Sequence, residues 1–149
     1  MLPLFEVDAV QWRPGWVRAP IDATTRTLDD WSSRDRWVID GFGPIPSIEG
    51  RFDRADLIVY VDFPLWRHLW WTAKRQAASY LRGHAWAGQR RPPPNKLMFE
   101  TILRVHRMRP MYFELVSRPP RDAKLVHLRS PSQMRRWLET SAPRSRTTR

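Results

Sequence analysis

Two short apolar runs, each closing on an aspartate, constrain the fold of this chain most strongly. The first occupies residues 37–41 (Trp-Val-Ile-Asp-Gly), and the second occupies residues 57–64 (Leu-Ile-Val-Tyr-Val-Asp-Phe-Pro). Continuous runs of β-branched and aromatic residues are typical of strands that are buried on both faces of a parallel sheet. The sequence therefore predicts a strand at each of these positions.

Helical patterns alternate with these strands. Residues 65–80 carry apolar side chains at spacings of three and four, and residues 96–109 repeat the pattern until Pro110 ends it. A third predicted strand at residues 123–128 leads through a Ser-Pro-Ser cap into a helix over residues 133–139. The alternation predicts an α/β domain, in which helices flank a parallel sheet in three layers.

Positive charge is concentrated in the second half of the chain. The formal net charge is +11, yet residues 1–81 hold 10 Lys and Arg against 11 Asp and Glu, whereas residues 82–149 hold 16 against 4. A basic half favours phosphate-bearing partners such as nucleotides or nucleic acid. The alternative is a solvated surface with a basic tail.

Composition excludes several classes of site. A chain without cysteine has no disulfide, zinc–thiolate site or thiol nucleophile, and the four histidines are scattered without ligand spacing. No apolar run approaches the roughly 18 residues that span a bilayer. The first ten residues lack the basic and apolar segments of a signal peptide. The sequence therefore predicts a cytoplasmic protein with no membrane partner, and we expect Trp37, Trp66, Trp70 and Trp137 in its core.

Several motifs follow one another in a recognisable order. They are Asp8, predicted to end a strand, with Trp-Arg-Pro-Gly-Trp at residues 12–16, Arg-Trp-Val-Ile-Asp-Gly at 36–41, Arg-Ala-Asp to Asp-Phe-Pro at 54–64, Leu-Arg-Ser-Pro at 128–131 and Arg-Arg-Trp-Leu at 135–138. In this order the chain resembles the DNA topology modulation proteins, which are adenylate-kinase-related P-loop kinases. The resemblance implies a single P-loop NTPase-like domain over residues 1–142, with a lid-like segment at about residues 82–96. A basic, disordered tail is expected at residues 143–149.

The family's ATP-binding element has no counterpart in this sequence. Those proteins begin with a strand, a Gly-x4-Gly-Lys-Ser/Thr loop and a helix, whereas this sequence starts at their second strand, so we expect an N-terminally truncated domain. Residues 83–88 have the Gly-x4-Gly spacing, but Gln89 and Arg90 follow them instead of Lys and Ser/Thr. The resemblance implies ATP and Mg²⁺ as cofactors, and the missing loop predicts that the chain as written is inactive.

The resemblance also implies roles for individual residues. Asp40 would act in catalysis and hold Mg²⁺ through water, together with Arg75 as a second catalytic residue. The implied acceptor-binding residues are Asp8, Arg13, Gly41 and Arg51, and the implied lid residues that bind phosphate are Lys74, Arg82, Arg90 and Arg91. A purely structural role stays open for four of these residues. It is a capping carboxylate for Asp40, a turn residue for Asp8, stacking on indole for Arg13 and a solvated face for Arg51.

Three functions follow from these observations. The first is an ATP-dependent kinase that transfers a phosphoryl group to a nucleotide or another small molecule. The second is a non-catalytic module on the same scaffold that binds nucleotide or nucleic acid. The third is an interaction subunit, in which a partner chain or an oligomer covers the place of the missing first strand.

Overall fold

Two pairs of short parallel strands carry the apolar runs of the sequence. The computed structural model describes residues 2–82 and 92–141. Strand β1 (Leu4–Glu6) lies parallel to a later strand (Val38–Asp40), and a second parallel pair joins Ile58–Val61 to Leu125–Leu128. An antiparallel hairpin lies in sequence between the two strands of the first pair, and it is formed by Trp12–Arg13 and Val17–Arg18. In chain order these strands are β1, β2 (12–13), β3 (17–18), β4 (38–40), β5 (58–61) and β6 (125–128).

Helices connect the strands in the described part of the chain. They are α1 (Val7–Gln11), α2 (Ile21–Ser32), α3 (Ile48–Arg54), α4 (Leu65–Arg82), α5 (Asn95–Arg107), α6 (Arg109–Ser117) and α7 (Pro131–Ser141). The α/β class is therefore confirmed, as are the three predicted strands and the helix after Pro64. Within the described residues the strands form separate two-stranded sheets. The three-layer P-loop NTPase-like arrangement stays a prediction.

Two sequence predictions of local structure are wrong. Pro110 does not end a helix over residues 96–109: α5 ends at Arg107, and Pro110 lies in the first turn of α6. A proline fits there because the first turn of a helix leaves its N–H groups unbonded in any case. Asp8 does not end a strand either, because β1 ends at Glu6 and Asp8 lies in the first turn of α1.

Aromatic packing connects the two parallel pairs. The core cluster combines residues of α3, β5 and α6, among them Ile48, Tyr60 and Val116. The ring of Phe42, two residues beyond β4, lies 4.2 Å from the ring of Tyr112 and 6.4 Å from that of Tyr60. Side-chain packing thus holds β4 near β5, although no backbone ladder between them is present in the described residues.

The opposite face of the strands is exposed. Along β5, Ile58 and Tyr60 are buried, whereas the alternate residues Val59 and Val61 are exposed. In the other pair, Leu4 is 62% exposed and Val38 is also exposed. The prediction of burial on both faces is therefore wrong for the described structure, since α3 and α6 pack on one face alone.

The tryptophans of α4 also depart from the sequence prediction. Trp66 and Trp70 are 60% and 64% exposed, whereas Trp37 is partly buried against the core cluster. Leu69, Ala73 and Phe99 join the two exposed indoles around a shallow apolar groove. The apolar spacing of α4 thus marks a surface stripe in the described structure.

Arg121 ties α3 to the end of α6. Its side chain is buried, and its Nε donates to Asp53 Oδ1 at 2.6 Å. Its Nη1 and Nη2 donate to the carbonyl oxygens of Leu115 at 2.9 Å and Glu49 at 3.4 Å. One guanidinium therefore bonds three separate acceptors on two elements.

We expect Arg121→Gln to lower the free energy of unfolding by about 2 kcal/mol, because two buried carbonyl groups lose a charged donor. The matched control is Arg118→Gln, which breaks an exposed pair with Glu114 and should change stability by less than about 0.5 kcal/mol. Urea denaturation measures both values. Equal losses in the two variants would contradict the proposed role of Arg121.

Candidate functional site

The carboxyl ends of β1 and β4 bring acidic residues together. The parallel register places Glu6 opposite Asp40, and both side chains are exposed. Two residues beyond Glu6, Asp8 lies in the first turn of α1. In open α/β sheets the carboxyl ends of parallel strands form the edge at which ligands bind.

A close backbone approach sets the position of Asp40 relative to α1. Gly41 has a φ of +110°, and a Cβ at this position would lie 2.9 Å from Val7 Cβ. Val7 is buried directly before Asp8. The glycine therefore lets the loop after Asp40 pack against the start of α1, so that Asp8 and Asp40 share one edge.

The surroundings of Asp8 unite three of the predicted residues. Desolvation by neighbouring protein atoms raises the pKa of Asp8, and a hydrogen bond with Trp12 opposes that rise. The negative charge of Asp40 raises the pKa further, whereas the positive charge of Arg75 lowers it. Arg75, from α4, therefore lies within electrostatic range of Asp8. Such a set can accept hydrogen bonds from hydroxyl groups while its guanidinium binds an anionic oxygen.

Arg51 lies beneath the loop that follows Asp40. The side chain is 2% exposed, and its Nη2 donates to the carbonyl oxygen of Phe42. Desolvation lowers the pKa of Arg51 to about 10, against the opposing charge of Asp29. Its Nε and Nη1 have no hydrogen-bond partner among the described residues. In this structure Arg51 supports the loop through its hydrogen bond to the Phe42 carbonyl oxygen. Because its side chain is buried, Arg51 does not lie on a solvated face.

The other predicted binding residues are exposed or have side chains outside the description. Arg13 is exposed in the hairpin, where Arg18 lies over the ring of Trp12, at 5.8 Å. Lys74 is exposed on α4. Arg82 is the last residue of α4, and nothing is described of its side chain. The predictions for Arg90, Arg91, most of the lid-like segment and the tail lie outside the described residues.

Sequence reasoning missed a second polar cluster, which follows β5. Asp62 Oδ1 accepts a hydrogen bond from Arg109 Nε at 2.5 Å, and Asp62 Oδ2 lies 3.0 Å from His127 Nε2. Desolvation works to raise the pKa of Asp62, but the hydrogen bonds with Arg109 and His127 outweigh it and hold that pKa below its ordinary value. The available signals were Asp62, which closes the second apolar run, and a histidine within the apolar strand β6.

The carboxylates fit a water-mediated role in Mg²⁺ binding. Asp40 is exposed opposite Glu6, and carboxylate oxygens are the ligands that Mg²⁺ prefers. In residues 2–82 and 92–141, no group of three or more Asp, Glu, His or Cys side chains is placed to hold a metal ion. Direct coordination by the described residues alone is therefore not supported.

The comparisons with known proteins add no relative. No family model matches the chain, and no curated protein or solved structure matches it. Among the helices that the structure describes, none combines the length and the apolar character needed to cross a membrane.

We expect Gly41→Ala to destabilise the protein by roughly 1–3 kcal/mol, because alanine is strained at this φ and its Cβ collides with Val7. Gly50→Ala is the matched control, since Gly50 lies in α3 with open space around it. The control should be neutral or stabilise the helix by up to about 1 kcal/mol. Thermal and urea denaturation compare the two, and a stable Gly41→Ala protein would contradict the close approach.

We expect Asp8→Asn to raise the free energy of unfolding at pH 7, because the folded environment disfavours the ionised carboxylate. The gain is present above the raised pKa of Asp8 and is lost as the pH falls toward the ordinary value of 3.8. Denaturation at a series of pH values measures this difference. The exposed Asp35→Asn serves as control, and a gain independent of pH in Asp8→Asn would contradict the prediction.

Proposed function

We propose that this domain provides the phosphoryl-acceptor site of a nucleotide-kinase-like phosphotransferase. The observation that carries the proposal is the approach of Asp8 and Asp40 at the carboxyl edge of β1 and β4, with Arg75 within electrostatic range of Asp8. The resemblance to adenylate-kinase-related proteins supports the same assignment. The ligand class that suits these groups is a small phosphate ester with hydroxyl groups, such as a nucleoside monophosphate.

Each side chain has a distinct task in this proposal. Arg75 donates charge-assisted hydrogen bonds to phosphate oxygens of the ligand. Asp8 and Asp40 accept hydrogen bonds from hydroxyl groups, and the ligand or a cation relieves their mutual repulsion. Arg51 is a positioning residue, since it holds the Phe42 carbonyl of the loop that carries Asp40.

The two implied cofactors fit this chain to different degrees. Mg²⁺ bound to Asp40 through water would neutralise phosphate charge at this edge. ATP does not fit, because the sequence contains no Gly-x4-Gly-Lys-Ser/Thr loop to hold its β- and γ-phosphates. We therefore propose acceptor binding by this chain, and we expect no phosphoryl transfer from Mg-ATP by this chain alone.

Separate observations favour the two other functions. The missing phosphate loop favours a non-catalytic module that binds nucleotide or nucleic acid. The exposed apolar face of Leu4, Val38, Val59 and Val61 favours an interaction subunit whose partner chain covers it. Nucleic-acid binding would weaken steeply with salt and ignore Mg²⁺, and self-association would make stability depend on protein concentration.

We expect Arg75→Gln to weaken the binding of a nucleoside monophosphate about tenfold, because a charge-assisted hydrogen bond to phosphate is lost. Isothermal titration calorimetry measures the dissociation constant. Arg26→Gln removes the same charge from an exposed pair on α2 and should leave the affinity unchanged.

Asp40→Asn extends this test to the carboxylates. We expect this substitution to weaken the binding of the nucleoside monophosphate more than the binding of the corresponding phosphate monoester without ribose hydroxyls. Equal affinity in wild type, Arg75→Gln and Asp40→Asn would refute the acceptor site. Binding of single-stranded nucleic acid in preference to the monophosphate would favour the non-catalytic module instead.

A further inference from the structure

A second cleft opens where β5 and β6 end. It has a volume of about 720 Å³ and lies against the junction of α5 and α6. Its lining residues are Asp62, Pro64, His106, Arg107, Arg109, Pro110, Phe113, His127 and Arg129. The cleft thus combines the carboxyl edge of a parallel pair with a basic stretch of the second half of the chain.

The charges of this cleft are unbalanced. Asp62 is the single acidic residue of the lining, and its two oxygens already meet Arg109 at 2.5 Å and His127 at 3.0 Å. Arg107 and Arg129 add two exposed positive charges to the same lining. The lining therefore carries a net positive charge even with its histidines neutral, which favours an anionic ligand.

The apolar part of the lining narrows the ligand class. Phe113 packs against His127 with ring centroids 4.7 Å apart, and Pro64 and Pro110 also line the wall of the cleft. Arginine guanidinium groups bind phosphate oxygens in a fork, whereas flat apolar walls suit an organic group. We propose that this cleft binds a small organic phosphate ester, with its phosphate on Arg107 and Arg129 and its organic group against Phe113.

This cleft is distinct from the edge that carries Asp8 and Asp40, since Asp8, Asp40 and Arg75 are not among its lining residues. His68 lies within electrostatic range of Asp62 and Arg109, and Arg75 lies within range of Asp8. Both residues belong to α4, where seven residues correspond to about two turns, or roughly 10 Å. The phosphate-ester cleft therefore stands on its own observations, independent of the proposed acceptor site.

The test measures the binding of phenyl phosphate by isothermal titration calorimetry, with inorganic phosphate as competitor. We expect Arg107→Gln and Arg129→Gln to weaken phenyl phosphate about tenfold each, since each removes a charged donor. Both residues are exposed, and circular dichroism verifies that the variants are folded. Arg104→Gln is the matched control, because Arg104 is exposed on the same helix but does not line the cleft.

The outcomes separate this proposal from the acceptor site. The proposal predicts saturable binding of phenyl phosphate that inorganic phosphate displaces. The Arg104→Gln and Arg75→Gln variants should retain this binding. The Phe113→Leu variant should bind phenyl phosphate more weakly but inorganic phosphate with unchanged affinity. The proposal is overturned if phenyl phosphate does not saturate, or if Arg104→Gln loses as much affinity as Arg129→Gln. Loss of binding in Arg75→Gln with full binding in Arg129→Gln would also overturn it.

Discussion

The packing of Phe42 is the contact on which the rest of this structure depends. In the described chain the two parallel strand pairs share no backbone ladder, so side chains must hold them together. The Phe42 ring reaches Tyr112 at 4.2 Å and Tyr60 at 6.4 Å, and its own carbonyl oxygen accepts a hydrogen bond from the buried Arg51. The attraction between close-packed rings falls steeply when the rings move apart, so this contact holds the end of β4 in place against the core.

The candidate acceptor site inherits its geometry from that packing. Asp40 and Gly41 directly precede Phe42, so the residue that packs in the core also fixes the end of β4. The approach of Gly41 to Val7 then sets α1 against this loop and brings Asp8 near Asp40. Desolvation, with a smaller contribution from the charge of Asp40, raises the pKa of Asp8 and disfavours its ionisation, which is typical of sites arranged for a ligand.

Helix α4 connects the two sites that we propose. His68, in its first half, lies within electrostatic range of Asp62, and Arg75, in its second half, lies within electrostatic range of Asp8. The basic half of the chain supplies Arg107, Arg109 and Arg129 to the cleft, so its positive charge is partly gathered at one place.

Local pattern in the sequence determined the α/β class and the strands of the two apolar runs, because these features depend on neighbouring residues. The roles of Asp8, Asp40 and Arg75 follow from the resemblance and stay predictions. Tertiary structure decided which residues that are distant in sequence come into contact. The contacts of Asp62 with Arg109 and His127 join positions 47 and 65 residues apart, which no periodicity reports. Burial was likewise decided in three dimensions: Arg51 is enclosed and Trp70 is exposed, since packing against neighbouring elements outweighs the polarity of a single side chain.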